Sequence, residues 1–270
     1  MKTTPWLRSI SFTLLLAAPL AAQETVAFAS GALTLHGVLY RPAGQGPFPA
    51  VVYNHGSGKE YAKQFAALGP LYASHGFVFF APYRRGQGLS ADAGPNILDL
   101  LDKESAANGP EGRSKLMVKL LETDHLDDQL AGLAWLEKQT YVDKRRIAVA
   151  GNSFGGIQVV LAAERKTSYC AAVDSAGAAL TWADSPDIRE RLTRAVRQAK
   201  VPIFFFQAEN DKDLSPSKTL AAEMKARGLA HQMKIYPAFG KTVDHGHSFG
   251  YYGGVTWIGD VAAFLIGVCK

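Results

Sequence analysis

The chain has 270 residues, with 29 Lys and Arg against 24 Asp and Glu, 47% hydrophobic and 20% charged content, and only 2 Cys. Apolar side chains are plentiful enough for a core and cysteine is too scarce to replace one, which excludes disordered, collagen-like and disulfide-scaffold chains. No block of five Lys or Arg occurs and the basic residues are interleaved with acidic ones, so the charge pattern gives no reason to expect a nucleic-acid partner.

In chain order, Lys2 and Arg8 precede the apolar stretch Ile10 to Leu20, and the small residues Ala21 and Ala22 follow. This reads as a secretory signal peptide over residues 1–22. The stretch is shorter than the ~20 residues of a membrane span, so the mature chain, 23–270, is expected without stable membrane insertion and outside the cytoplasm, periplasmic or extracellular. An uncleaved N-terminal anchor is the alternative. Removing Lys2 and Arg8 lowers the formal charge from +5 to +3. Cys170 sits in an apolar run that suits a buried thiol, so two unpaired cysteines are expected, with a Cys170–Cys269 bridge the alternative in an oxidising compartment.

From Leu33 to Tyr40 apolar and polar residues alternate as in a strand with one wet face. Further strands are expected as short apolar runs at Ala50 to Tyr53, Phe77 to Ala81, Ile147 to Ala150, Cys170 to Val173, Ile203 to Phe206 and Met233 to Tyr236. Unbroken runs suit a parallel sheet buried on both faces. Helical patterns lie between them at Lys59 to His75, Phe154 to Glu164, Asp187 to Lys200, Ser217 to Arg227 and Val255 to Val268. Leu126, Leu130, Leu133 and Leu136 form one further apolar stripe. The stretch 92–122 breaks the rhythm. It is expected as an insertion with short helices at Asn96 to Lys103 and Ser114 to Leu121 around a Gly-Pro-Glu-Gly turn. The alternation as a whole predicts one α/β domain with a doubly covered, mostly parallel sheet.

The chemistry centres on Gly151-Asn152-Ser153-Phe154-Gly155-Gly156, a G-x-S-x-G sequence between a strand and a helix. A sharp strand-to-helix turn needs small flanking residues and raises the serine hydroxyl beside the free N–H groups of the helix N-terminus. A serine nucleophile needs a base and an orienting acid, and both are expected at later strand ends. Asp211 follows the strand Ile203 to Phe206 most closely and is preferred to Asp213, read as a capping carboxylate, and to Glu209. His247 is preferred to His245 because Phe249 can tuck beneath the sheet and leave the imidazole facing Ser153. The loop Asn54-His55-Gly56-Ser57-Gly58 allows backbone N–H groups to turn toward the nucleophile, so the N–H groups of Ser57 and Phe154 are assigned to an oxyanion hole. His55 and Trp182 are assigned to the substrate pocket, with packing the alternative for the tryptophan. Arg84 and Arg85 either meet an acidic substrate or, by preference, brace loop carbonyls and carboxylates. No metal-binding spacing occurs and no cofactor is expected.

The segments Pro49 to Gly56, Pro82-Tyr83-Arg84-Arg85-Gly86 and Val142 to Gly156, with the Asp211 and His247 loops, resemble the dienelactone-hydrolase-like branch of the α/β-hydrolases from about residue 30 onward. The resemblance implies an eight-stranded, mostly parallel sheet with helices on both faces and a Ser-Asp-His set at the carboxyl ends of the strands. Dienelactone hydrolases themselves use cysteine as nucleophile, and Ser153 stands at that position here, which points away from lactones. The expected activity is hydrolysis of small-molecule carboxylic esters through an acyl-enzyme. A small exported serine peptidase of the prolyl-oligopeptidase type and a non-catalytic binding protein on the same scaffold are the alternatives.

Overall fold

The computed structural model describes residues 22–165 and 167–270. The expected signal segment therefore lies, but for Ala22, outside the described residues. Eight strands form one sheet: β1 (Glu24–Ser30), β2 (Leu33–Tyr40), β3 (Phe48–Asn54), β4 (Val78–Pro82), β5 (Val142–Asn152), β6 (Tyr169–Ser175), β7 (Ile203–Ala208) and β8 (His231–Tyr236). Their order across the sheet is β1-β2-β4-β3-β5-β6-β7-β8. The hairpin β1-β2 and the β2-β4 pair are antiparallel, and every later pair is parallel. The seven expected strands are present, most with an end or two extended; β1 is additional.

Parallel strands need long crossovers, and helices supply them: α1 (Ala62–Ser74), α2 (Ile97–Glu122), α3 (Asp124–Leu136), α4 (Phe154–Glu164), α5 (Pro186–Arg197) and α6 (Ser215–Ala226); after the last strand come two short helices, α7 (Val243–His247) and α8 (Phe249–Tyr252), and the longer α9 (Gly254–Val268). The period-2 alternation of the strands divides the core into two. Ala50, Val52, Phe80, Val149, Ala172 and Phe205 face the layer that includes α2 to α6. Val51, Tyr53, Phe79, Ala150, Val173 and Phe206 face α1 and α9. Each face buries a continuous apolar surface, which is why the inner stretches Ala50 to Tyr53, Ile147 to Ala150, Ala171 to Val173 and Ile203 to Phe206 carry no charged side chain.

The stretch 92–122 is more helical than its sequence suggests. One helical element spans Ile97–Glu122, broken only at Gly109, whose φ of 70° places a bend before Pro110. The expected Gly-Pro-Glu-Gly turn is that bend, and the flanking helices run longer than expected. Its far end is pinned by Arg191 of α5, a buried guanidinium paired with both Glu122 and Glu164.

The expectation of unpaired cysteines is corrected. Cys170 and Cys269 form a disulfide with their α-carbons 5.2 Å apart. Cys170 belongs to β6 and packs on the α9 face, where the end of α9 delivers Cys269; 99 residues separate the two, so nothing local in the sequence signals their meeting. Closing so long a loop restricts the unfolded chain strongly. We expect reduction, or Cys269→Ser, to cost about 2–4 kcal/mol in urea denaturation; coincident oxidised and reduced curves would show that the bridge adds no stability.

Candidate active site

At the centre of the sheet the chain passes from β3 through α1 to β4 on one side, then returns to β5 on the other side of β3. The strand order therefore reverses direction at β3, and the usual position of a site in an open α/β sheet is at the carboxyl ends of the strands beside such a reversal.

Ser153 occupies this position. Its φ of 59° and ψ of −118° put a non-glycine residue in a left-handed conformation between the last residue of β5 and the first of α4, a strain of about 1–3 kcal/mol that surrounding contacts must hold. Its N–H donates to Ser175 O of β6 (2.9 Å) and its carbonyl accepts the first helical bond from Ile157 (3.1 Å). The glycines around it answer close approaches of backbone: a Cβ at Gly155 would run into the Asn54 carbonyl, and one at Gly151 would lie 2.5 Å from Gly155 O. Elbow and β3 loop are therefore in van der Waals contact.

The structure brings Ser153, His247 and Asp211 together in series. His247 Nε2 lies 2.9 Å from Ser153 Oγ, and His247 Nδ1 lies 2.9 Å from Asp211 Oδ1. A carboxylate only accepts, so Nδ1 carries the proton and Nε2 accepts the serine hydroxyl. Asp211 is buried and its carboxylate is fully engaged: Oδ1 also accepts from Lys212 N–H (2.7 Å), and Oδ2 accepts from Gln207 Nε2 (2.8 Å). Asp213, the rejected neighbour, accepts the Ser215 N–H at the head of α6 (2.8 Å), while Glu209 and His245 are exposed. Phe249 is buried among Phe206, Tyr236 and Phe239, so the residue after Ser248 anchors the histidine loop from below. Asn152 adds a second tie, donating to the His247 carbonyl at 3.4 Å and accepting from the Ser175 hydroxyl. Such a chain can raise the nucleophilicity of a serine, hold the matching imidazolium and return the proton to a leaving group.

Neither of the two assigned oxyanion donors is used by another hydrogen bond among the described residues. Phe154 is the first residue of α4, so its N–H has no acceptor within the helix. In the β3 loop the N–H of Gly56 donates to Tyr251 Oη (2.8 Å) and that of Gly58 to Tyr61 Oη (2.7 Å), whereas the Ser57 N–H between them makes no hydrogen bond among the described residues.

His55 and Trp182, assigned to a substrate pocket, are both buried. His55 is wholly buried, stacked 4.6 Å from the Tyr61 ring and beside Tyr83. Burial and the neighbouring Arg84 charge push its pKa well below the ordinary histidine value, so the ring is neutral: Nδ1 donates to Gly56 O (2.9 Å) and Nε2 accepts from the Arg84 N–H (3.4 Å). Trp182 is buried in the core on the α4 face, its carbonyl held by Arg189. The His55 ring is closed off completely and Trp182 keeps only 7% of its surface exposed, so both pack into the scaffold, the alternative given for the tryptophan.

Arg84 and Arg85 are both internal braces. Arg85 grips Asp128 through Nε (2.9 Å) and Nη2 (2.7 Å), and Asp128 also accepts from Ser30. Arg84 is buried with no carboxylate on its guanidinium: Nη1 donates to His55 O (2.9 Å) and Gln158 Oε1, Nη2 to Gly56 O, and Nε to Gln87 Oε1 (3.2 Å). Burial lowers its pKa to about 10, which leaves it protonated at neutral pH. Sequence reasoning missed Gln207, Gln87, Gln158, Tyr61 and Tyr251. The signal for Gln207 was present, since it is the first polar residue at the end of an apolar strand; the others reach the site from separate elements. Among the described residues no group of three His, Cys, Asp or Glu is arranged to hold a metal, and no helix is long and apolar enough to cross a membrane.

The strand order, the elbow after β5 and the hydrogen-bonded Ser-His-Asp series define an α/β-hydrolase fold. The family model for the dienelactone hydrolase family matches residues 35–251, and the chain belongs to that family. A curated relative, the uncharacterized peptidase YtmA of Bacillus subtilis, is 23% identical over 76% of this chain and 79% of its own length. Among solved structures, the acylaminoacyl peptidase of Pyrococcus horikoshii superposes with a TM-score of 0.68 at 18% identity over 93% of this chain. The chain spans only 42% of that peptidase's length. Esterase Est22 gives a TM-score of 0.67 at 17% identity, over 93% of this chain and 82% of its own.

One buried group near the elbow titrates in an unusual range. Asp174 of β6 is wholly buried against Gly156 and Gly177; Oδ1 accepts from Gly177 N–H (2.9 Å) and Oδ2 has no partner among the described residues. Burial raises its pKa from 3.8 to about 7. A carboxyl whose folded value is raised stabilises the fold only while protonated, so its contribution is whole below 3.8 and drains away as pH rises through about 7. We expect Asp174→Asn to gain stability over the wild type between about pH 5 and about pH 8, read from urea midpoints; a constant difference across that window would rule out ionisation of this carboxyl.

Proposed function

We propose that the protein hydrolyses carboxylic esters with Ser153 as nucleophile, His247 as general base and acid, and Asp211 as the group that orients the imidazole. The observation that carries this reading is the pair of 2.9 Å contacts that join the three side chains in series. His247 takes the Ser153 proton as Oγ attacks the ester carbonyl, and the oxyanion that forms meets the N–H groups of Ser57 and Phe154. The protonated imidazole then gives its proton to the departing alcohol. Water, activated by the same ring, attacks the acyl-serine and releases the acid. Family membership supports a serine hydrolase. A thiolate nucleophile is excluded at this position by Ser153 itself, and the two cysteines lie in a disulfide.

The peptidase reading has its own support in the names of YtmA and the Pyrococcus protein. Both readings use the same three side chains and differ in the bond attacked. Export after removal of residues 1–22 belongs to this proposal as well, and the disulfide supports it, because such bridges persist in oxidising compartments.

A fluorophosphonate probe is expected to label the wild type, and Ser153→Ala to abolish both labelling and turnover of a short-chain p-nitrophenyl ester. A peptidyl anilide cleaved faster than the matched ester would move the assignment to peptidase; a wild type that takes no label beside a reactive control would leave only the binding-protein reading. For the orienting acid, Asp211→Asn is expected to lower kcat by roughly 10⁴-fold, as loss of the histidine tautomer does in serine proteases. Asp213→Asn removes only a turn contact, so a larger loss from Asp213→Asn would overturn the assignment of Asp211.

A further inference from the structure

Arg84 presents a physical puzzle that bracing alone does not answer. Its guanidinium is removed from water and its charge is balanced by no bound carboxylate; its acceptors are two backbone carbonyls and two glutamine side chains. Burying a charge on neutral acceptors works against folding, and nearby Asp128 is committed to Arg85 and Ser30. An apolar residue and a few loop contacts would fill the same volume more cheaply.

The geometry of the peptide unit supplies a reason. Gly56 C=O and Ser57 N–H belong to one planar trans unit, so the oxygen and the hydrogen point in opposite directions. Arg84 Nη2, His55 Nδ1 and Gln87 Nε2 all donate to that one oxygen. Fixing the oxygen on the Arg84 side fixes the Ser57 hydrogen on the opposite side of the loop. Hydrogen bonds also polarise one another along a chain, so a cation on the carbonyl makes the N–H across the same unit a stronger donor. The neighbouring units are locked likewise: His55 C=O is held by Arg84 while Gly56 N–H is taken by Tyr251, and Gly58 N–H is taken by Tyr61. Of the three consecutive N–H groups, only that of Ser57 has no acceptor among the described residues.

The same guanidinium reaches the other assigned donor. Its central carbon lies 4.9 Å from the centroid of the Phe154 ring, and Nη1 donates to Gln158 one turn along α4. Gln158 in turn donates to the His125 carbonyl (2.7 Å), which joins α3 to the assembly. One side chain at the end of β4 thus ties the β3 loop to the head of α4, the two elements that must agree in position if both N–H groups are to meet one oxyanion.

We propose that Arg84 is an electrostatic positioning residue: through the Gly56 carbonyl it aims and strengthens the Ser57 N–H as an oxyanion donor, and through Gln158 and Phe154 it sets the distance of that donor from the N–H of Phe154. The proposal rests on the serine-hydrolase reading above but concerns a residue that never touches substrate. Its effect belongs in the transition state, where the negative charge develops, and little of it in ground-state binding.

The test uses the full chain with Arg84→Gln, Arg84→Lys and Gln87→Met, and two readouts. In kinetics on a short-chain p-nitrophenyl ester, Arg84→Gln is expected to lower kcat about 100-fold, the size of losing one oxyanion donor, with KM changed less than about threefold. Arg84→Lys should recover part of that loss, since an ammonium keeps the charge without the fork, and Gln87→Met should give a smaller loss of the same kind. In nuclear magnetic resonance, the amide nitrogen of Ser57 should move upfield in Arg84→Gln and, less, in Gln87→Met. A folded Arg84→Gln chain with native kcat and an unmoved Ser57 resonance would overturn the proposal, as would a loss carried wholly in KM. If Arg84→Gln fails to fold, Gln87→Met decides by the same two readouts. If the wild type neither turns over ester nor takes a fluorophosphonate label, the hydrolase reading falls, and the Ser57 resonance alone still decides whether Arg84 polarises that amide.

Discussion

The backbone at Ser153 is the constraint on which the site is built. An L-residue with φ near 60° resists that conformation, and it persists here because three things hold it: the bond from its N–H to β6, the helix that starts at its carbonyl, and the approach of Gly155 to the Asn54 carbonyl. The last of these also sets where the β3 loop lies. A larger residue at Gly155 would separate the elbow from the loop, and the N–H groups of Ser57 and Phe154 would part with it. One steric contact thus links the position of Ser153 to the position of both assigned donors.

Around the elbow the protein changes its packing rule. Below it both faces of the sheet are apolar and close-packed, and strand ends mark the border: Asn54, Asn152, Asp174 and Gln207 are each the first or second polar residue after an apolar run, and all are buried. Above the border, loops are specified by hydrogen bonds instead of by side-chain volume. Arg84, Gln87, Tyr61 and Tyr251 take up the carbonyls of His55, Gly56 and Gly58 and the N–H groups of Gly56 and Gly58. A loop fixed in this way has few alternative arrangements of equal energy, which is what preorganised electrostatic stabilisation demands. Gln207 does the same for Asp211, whose two oxygens are taken up so that only one approach is left for His247.

Much of this was legible in the sequence, for physical reasons that differ from part to part. Apolar runs revealed the central strands because burial on both faces leaves no room for polar side chains, and Gly151 and Gly155 revealed the elbow because no other residue fits the contact. The order Ser153, Asp211, His247 followed from strand ends. What the sequence hid depends on partners far along the chain. The neighbour of Cys170 lies 99 residues away, and the stripe in β1 is weak because only its last residues are buried. His55 looked like a ligand-facing residue because it sits in a glycine-rich loop; only the fold shows Tyr61 and Arg84 closing over it. The small helices α7 and α8, which carry and support the histidine, have too few residues for any periodicity to register.

The costs of the site gather at the carboxyl ends of the inner strands. Ser153 is strained, Arg84 is a buried cation on neutral acceptors, and Asp174 keeps one oxygen without a partner. Each works against folding, and each lies within a few residues of the carboxyl ends of β4, β5 and β6. The compensating interactions lie elsewhere: the two apolar faces, the Arg191 pairing that fastens α2 to α4 and α5, and the bridge that fastens the end of α9 to β6. The separation has a mechanical consequence. Because the scaffold is held at a distance from the site, a substitution that relaxes the loops exchanges precision for stability without unfolding the sheet, so loss of activity and loss of fold should be separable at Arg84 and Asp174 but not at Gly155, where the same contact serves both.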